Sequence, residues 1–468
     1  METITDSSGP LYNLARGIFP FTPSEEQDEV LHSLCRFAVS RGPRDVFVLN
    51  GFAGTGKTTL MGSWVNALRK MGAKVVLLAP TGRAAKVFSN FSSLQASTIH
   101  RRLFRPVADG GALRYATAPN RNEDTIFVVD EASLIGDAKD MRKSLLQMLV
   151  RYVYSGAGCS LVLMGDTAQL PPVGQTDSVA MNVDRLRSLG LNPIYGILKT
   201  PLRQAAESGV LYNATLARKF ITGETNEPEL VLDAKNFPDD VTVVEGRDLE
   251  DYYTSSISKV GHDDTIVVTR SNWRANLINR DIRCRILYAD EEIGRGEHVL
   301  VTHNNYFWAR RERNPLLANG DMACISWIGS VEERYGYRFA DAELNFPGRE
   351  GPIAAKLLLS TLELPGPALN ALEMAQLHGR IMNSYEGDLT EKMRLADKDP
   401  YYNALQIKHS YCITCHKAQG GQWKHVYIDL AGIRPDAFGE DYYRWLYTAL
   451  TRSTERVFLI NPSVPVLE

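Results

Sequence analysis

The sequence predicts an α/β protein built on parallel sheets, and three observations carry that reading. Short β-branched and aliphatic runs at Asp45 to Asn50, Lys74 to Ala79, Thr125 to Asp130 and Ser160 to Gly165 are separated by stretches long enough for helices, the pattern of strands covered on both faces. A second set at Thr265 to Thr269, Val426 to Leu430 and Arg456 to Ile460 predicts a second α/β unit. The 468 residues also exceed what one compact domain holds, taking roughly 100 to 200 residues per domain.

Thr22, Pro23, Ser24 and Glu25 precede Val30, Leu31, Leu34, Phe37 and Ala38 at helical spacing. This predicts an amphipathic helix over 23–41, with Thr22 as cap, Pro23 at the first position and Glu25 completing a capping box. Between the second and third strands, Arg102 to Val107 and Ala112 to Tyr115 flank Asp109-Gly110-Gly111, a turn sequence that permits positive φ and so predicts a β-hairpin within 101–120, a surface loop being the alternative. From about 296 to 401 the pattern changes to short segments broken by Asn319-Gly320-Asp321, Phe346-Pro347-Gly348 and Pro365-Gly366-Pro367. This predicts a small β-rich domain inserted into the second unit. The resulting organisation is a first domain over 1–200, a second over 201–295 and 402–468, and the insert over 296–401.

Apolar residues make up 44% of the chain and charged residues 23%, which excludes disordered, collagenous and disulfide-scaffold classes. Lys plus Arg number 52 against 55 Asp plus Glu, a net charge of -3. That balance weighs against a protein that coats nucleic acid non-specifically and still permits a basic groove. No apolar run approaches the ~18 residues that cross a bilayer, and the first 21 residues lack a cationic stretch followed by an apolar one, so a cytoplasmic protein without membrane contact is expected. Six cysteines are too sparse for a disulfide framework.

Gly51-Phe52-Ala53-Gly54-Thr55-Gly56-Lys57-Thr58 matches G-x-x-x-x-G-K-T directly after an apolar strand and before an expected helix, the context this phosphate-binding loop requires. Gly51, Gly54, Thr55, Gly56, Thr58 and Thr59 are the expected cradle for ATP. Glycines let backbone N–H groups approach phosphate oxygens, the helix N-terminus adds partial positive charge, and Lys57 supplies a cation. Thr58 is a Mg²⁺ ligand by position, and Asp130, at the end of the run Ile126 to Val129, is the second. Glu131 is the candidate general base that orients and deprotonates the water attacking the γ-phosphate.

Further segments resemble, in order, the motifs of superfamily 1B helicases, the branch that includes RecD-like, phage Dda-like and Pif-type enzymes. Gln27 after Phe21-Thr22-Pro23 looks like the Q motif, Ala79 to Lys86 like motif Ia in its RecD-like form, and Thr98-Ile99-His100 like motif Ib. Asp130 to Ser133 is similar to motif II, Gly165 to Val173 to motif III, and Leu202-Arg203-Gln204 to motif IV. Thr414 to Gly420 with Trp423 resembles motif V, and Tyr447 to Arg452 resembles motif VI.

The resemblance implies two RecA-like domains with ATP between them and movement 5′ to 3′ on single-stranded DNA. Gln27 would read adenine, Gln169 would sense the γ-phosphate, Arg203 and Arg452 would reach it from the second domain, and Gln419 and Gly420 would border the nucleotide. Thr81, Arg83, Thr98, His100, Thr414, His416 and Lys417 would contact the DNA backbone without reading sequence. The hairpin would correspond to the family's pin and the insert to its SH3-like accessory domain. Expected partners are single-stranded DNA and duplex junctions, bound by a monomer in a bacterial or phage-type, nucleoid-associated setting. The alternative is a nucleic-acid-stimulated ATPase that remodels complexes, or an accessory motor subunit that does not unwind alone.

Three features stand apart. Motif V commonly has Ser where this chain has Ala418, removing a hydroxyl. Cys412-x-x-Cys415-His416 also matches a haem-attachment pattern, and His409 invites a zinc reading; the segment is better explained as motif V entering a helix, with both cysteines lining a core. Within the insert, Tyr306, Phe307, Trp308, Arg310, Arg311 and Arg313 combine aromatic and basic residues as a strand-binding surface does, a solvated loop with one packed aromatic edge being the alternative.

Overall fold

Strands buried along their whole length sit under helices on both sides, as Thr125–Val129 and Ser160–Gly165 of the first sheet do. The computed structural model describes residues 8–109, 112–137, 144–202, 207–309, 316–434 and 437–468, with the side chains of 105–116 left aside. Strands β1 (Asp45–Gly51), β2 (Lys74–Ala79) and β3 (Ser97–Thr98) lead into an antiparallel hairpin of β4 (Phe104–Asp109) and β5 (Ala112–Thr117). After it come β6 (Thr125–Val129), β7 (Ser160–Gly165) and β8 (Asn192–Leu198). Apart from the hairpin these strands form one parallel sheet in the order β3-β2-β6-β7-β1-β8. Because β6, β7 and β1 are neighbours, the loops leaving their C-terminal ends stand side by side, about 4.8 Å apart per strand. Those loops carry Asp130, Asp166 and the phosphate-binding segment.

The helix expected over 23–41 runs from Glu25 to Ser40, and its cap is Ser24 rather than Thr22. The Ser24 hydroxyl accepts from Gln27 N and the Gln27 carboxamide oxygen accepts from Ser24 N at 3.0 Å, so Gln27, not Glu25, completes the box. An additional helix, Gly9–Ile18, packs Leu11 and Ala15 into the core containing Trp64.

The second sheet is also parallel, in the spatial order Val241–Val244, Ser453–Ile460, Trp423–Asp429, Thr265–Thr269, Cys412–Thr414. Together the two sheets give the RecA-like pair. Between Thr269 and Cys412 the chain builds a barrel: His298–Val301, Met322–Ile328, Tyr337–Asn345, Ile353–Leu358 and Leu405–His409 pair into a closed five-stranded ring. Val299, Ile325, Leu344, Leu357 and Ile407 fill it. Leu405–His409 thus belongs to the barrel by its hydrogen bonds, although the sequence places 402–468 in the second domain. Two helices, Ala371–Asn383 and Leu389–Ala396, also lie in the segment read as β-rich. Arg310, Arg311 and Arg313 lie outside the described residues. No helix among the described residues is long and apolar enough to cross a membrane.

Candidate active site

The loop after β1 adopts the conformation its glycines permit. Gly54 and Gly56 have φ of 75° and 74°, the left-handed region open to glycine at no steric cost. A Cβ on Gly56 would stand 2.7 Å from Gln27 Nε2 and 3.0 Å from Leu202 Cδ1. The helix Lys57–Lys70 starts at Gly56 with no side-chain cap, which leaves its first N–H groups for an anion. Lys57 Nζ donates to Gly51 O at 2.6 Å, so the ammonium lies along the cradle. Gln27, expected to read adenine, is buried and bonds Thr55 O through Nε2 at 2.9 Å. Both its polar atoms are therefore spent on the helix cap and the phosphate loop.

Asp130 and Glu131 follow β6. Burial first, then the neighbouring Glu131 charge, push Asp130 up to about 7, against a pull from Lys57. The folded state holds that proton more tightly than the unfolded chain does, so this group withdraws stability as pH rises from about 4 to about 7. A cation bound there would remove the conflict. Glu131 sits at φ 51°, an unusual conformation for a non-glycine residue and one that clusters at functional sites. Its Oε2 is buried without a hydrogen-bond partner, as is Gln169 Oε1. Unpaired buried acceptors beside a carboxylate that resists ionisation fit a site built for Mg²⁺ and a triphosphate. Thr58, Asp130, Glu131 and Gln169 are the residues that would hold them.

The loop after β7 is bonded to the second domain. Tyr447, on the helix Glu440–Leu450, donates to Asp166 Oδ2 at 2.5 Å and accepts from Ala53 N at 2.7 Å. One hydroxyl therefore joins that helix, the loop after β7 and the phosphate loop. Thr448 Oγ1 accepts from Leu170 N at 2.8 Å, Gln419 Nε2 donates to Leu170 O at 2.7 Å, and Arg444 bonds the carbonyl of Thr167. Phe52 is buried among second-domain residues, with the Arg218 guanidinium 4.4 Å from its ring centroid. Arg452, expected to reach the phosphate, instead spends its guanidinium on Thr448 O, Gly421 O and Thr451 Oγ1 within its own domain. It is buried there because the turn that ends the helix points it inward. Arg203 lies outside the described residues. Arg444, Tyr447 and Thr448 stand at i, i+3 and i+4 on one helix, but no sequence signal says what they touch.

The expected strand contacts occupy the C-terminal edges of both sheets. Thr81 follows β2 and Thr98 ends β3, strands that pair Ala79 with Thr98, and Thr414 ends a strand that pairs it with Thr269. Thr81 and Thr98 accept from Ala84 N and Arg101 N as helix caps, which leaves each O–H free to donate to a phosphate. Burial pushes Lys417 down to about 8 and lowers His100 and His416. Arg83 departs from expectation, since its guanidinium carbon lies 3.9 Å from the Trp423 ring centroid. Gly420, expected at the nucleotide, lies against Thr81 and Ala84. Cys412 and Cys415 belong to different apolar clusters, one with Tyr253 and Tyr427, the other with Ile413 and Trp423, so they are not a ligand pair.

Known proteins share these features piecewise. Residues 23–208 match the AAA domain family and residues 409–460 the UvrD-like helicase C-terminal domain. Over 190 residues the chain is 34% identical to the ATP-dependent RecD2 DNA helicase of Deinococcus radiodurans, covering 40% of this chain and 24% of that protein. Over 136 residues it is 32% identical to the ATP-dependent DNA helicase dda of Enterobacteria phage T4, covering 28% of this chain and 29% of that protein. The chain thus spans about a quarter of each relative's length. A Bacteroides Pif1 helicase crystallised with ADP-AlF3 and single-stranded DNA has the same fold at 14% identity, with a TM-score of 0.50 over 95% of this chain and 93% of that one. By its ordered motifs and its two partial domain matches this chain is similar to superfamily 1B helicases of the RecD-like and Pif-type branch, and it shares the fold of the Pif1 structure.

Proposed function

We propose that the protein is an ATP-driven motor that moves 5′ to 3′ along single-stranded DNA and opens duplex ahead of it. The observation that carries this reading is the hydrogen-bonded seam centred on Tyr447, which ties the phosphate loop and the loop after β7 to the second sheet. Any nucleotide-dependent change in the first domain's loops is passed to the second domain through these bonds. Lys57 and the amides of Gly54 to Thr58 bind and orient the phosphates. Mg²⁺ at Thr58 and Asp130 would neutralise phosphate charge. Glu131, held at the strand end with one carboxylate oxygen free, takes the proton of the attacking water, and the Gln169 amide oxygen, from the loop after the neighbouring β7, orients that water.

Thr81, Thr98, His100, Thr414, His416 and Lys417 bind the strand's backbone along the two sheet edges. The hairpin β4–β5 acts as the wedge that parts the strands. The relatives' printed names, DNA helicases in each case, support the same substrate class. The test is ATP turnover with and without oligo(dT): at least about tenfold stimulation is expected, a barrier change of about 1.4 kcal/mol. A rate indifferent to DNA would overturn the reading.

A further inference from the structure

The helix Gly82–Ser92 leaves the strand-binding edge of the first domain, yet both other parts of the chain clasp its first turn. Arg83 lies 3.9 Å from the Trp423 ring centroid, its Nη2 donates to Gln422 O at 3.1 Å, and its Nη1 is 3.2 Å from Met322 Sδ on the barrel. A Cβ on Gly420 would stand 3.0 Å from Thr81 Oγ1 and 3.3 Å from the Ala84 Cβ. One on Gly82 would meet Asp321 Oδ1 at 3.1 Å. Three residues before Gln422, Gln419 bonds Leu170 O, on the ATP side of the seam. The segment 419–423 therefore touches the loop after β7 at one end and the strand-binding edge at the other.

We infer that Arg83 and Trp423 are a positioning pair that passes closure of the ATP cleft to the strand-binding edge, and that Arg83 is not itself a phosphate contact. This rests on the strand-motor reading. A guanidinium stacked on an indole and bonded to a carbonyl has committed its face and one edge, so a phosphate would have to displace both. The pairing depends on a flat cation, which lysine does not provide. Burial pushes Arg83 down to about 10, with Asp264 and Asp263 pulling it back up, so it remains charged near neutrality. When the second domain shifts, Gln422 and Trp423 carry Arg83 with them, and with it the turn capped by Thr81.

The experiment is oligo(dT)-titrated ATP turnover, with strand affinity measured at several salt concentrations, for Arg83→Ala, Arg83→Lys, Trp423→Ala and the double Ala variant. Each single variant should lower the DNA-stimulated kcat by about fivefold or more, while the DNA concentration giving half-stimulation moves less than about twofold. Arg83→Lys should behave like Arg83→Ala, the double variant should be no worse than the weaker single, and the salt dependence of affinity should be unchanged. A phosphate contact predicts the reverse: Arg83→Ala lowers the salt slope by about one and Arg83→Lys restores affinity. That result, or additive effects in the double variant, overturns the pair alone. If Trp423→Ala does not fold, the two Arg83 variants still decide between these outcomes. A wild type that DNA does not stimulate overturns the motor reading, and the pair's role falls with it.

Discussion

Glu131→Gln is expected to bind ATP as the wild type does and to hydrolyse it about 10²- to 10⁴-fold more slowly, the range over which a positioned proton acceptor acts. The substitution keeps the side-chain volume and one oxygen at the strand end, where Glu131 is held at φ 51° with Oε2 unpaired. What it removes is the capacity to take a proton. Lys57→Ala should show the opposite pattern, a loss of nucleotide affinity, because the ammonium is the one side-chain cation on the phosphate loop itself. Equilibrium binding of a fluorescent ATP analogue and steady-state turnover separate the two effects. Near-normal turnover by Glu131→Gln would take that residue out of the base role.

Tyr447→Phe carries the second large effect. It deletes a hydroxyl that serves Asp166 Oδ2 and Ala53 N at once, both in the buried seam between domains. Burial, then the charge of Asp166, raise that phenol well above its ordinary range, so it stays protonated as a donor to the carboxylate. An unpaired buried amide or carboxylate oxygen costs about 1–3 kcal/mol. The expected result is a DNA-stimulated kcat lower by about tenfold or more, with the KM for ATP changed less, because Lys57 and the helix N-terminus still bind the phosphates. Turnover and DNA stimulation at wild-type levels would show that the seam does not transmit closure through this hydroxyl.

The parallel strands were legible because burial on both faces makes them continuous apolar runs, so Ile126 to Val129 and Leu161 to Met164 needed no partner to be recognised. The phosphate loop was legible for a related reason, since Gly54 and Gly56 meet a local backbone requirement that the sequence states directly. The barrel boundary was not. Leu405–His409 and Cys412–Thr414 are both short apolar strands, and only hydrogen bonding to different neighbours assigns one to the barrel and the other to the second sheet. The helix Gly9–Ile18 is absent from the sequence reading, although Leu11, Leu14, Ala15 and Ile18 fall at helical spacing on its apolar face.

At the site, the motifs gave residue types but not side-chain directions. Arg452 and Arg83 are arginines in the expected places, yet one is bonded inside its own domain and the other stacked on Trp423. Motif spacing fixes where a Cα lies along the chain and leaves the path of a long side chain to the tertiary packing around it. Gln27 makes the same point in reverse. Its part in the cap box was available from Ser24-x-x-Gln27, while its bond to Thr55 O depends on two segments 28 residues apart meeting in space.

The most direct test of the motor itself is ATP-dependent opening of matched DNA duplexes that carry either a 5′ or a 3′ single-stranded tail, with Lys57→Ala as the blank. The account predicts that the 5′-tailed duplex opens, the 3′-tailed one does not, and neither opens with the variant. Opening from the 3′ tail would contradict the assigned direction, and no opening from either tail, with ATP turnover still stimulated by DNA, would contradict strand separation and the wedge role of the hairpin.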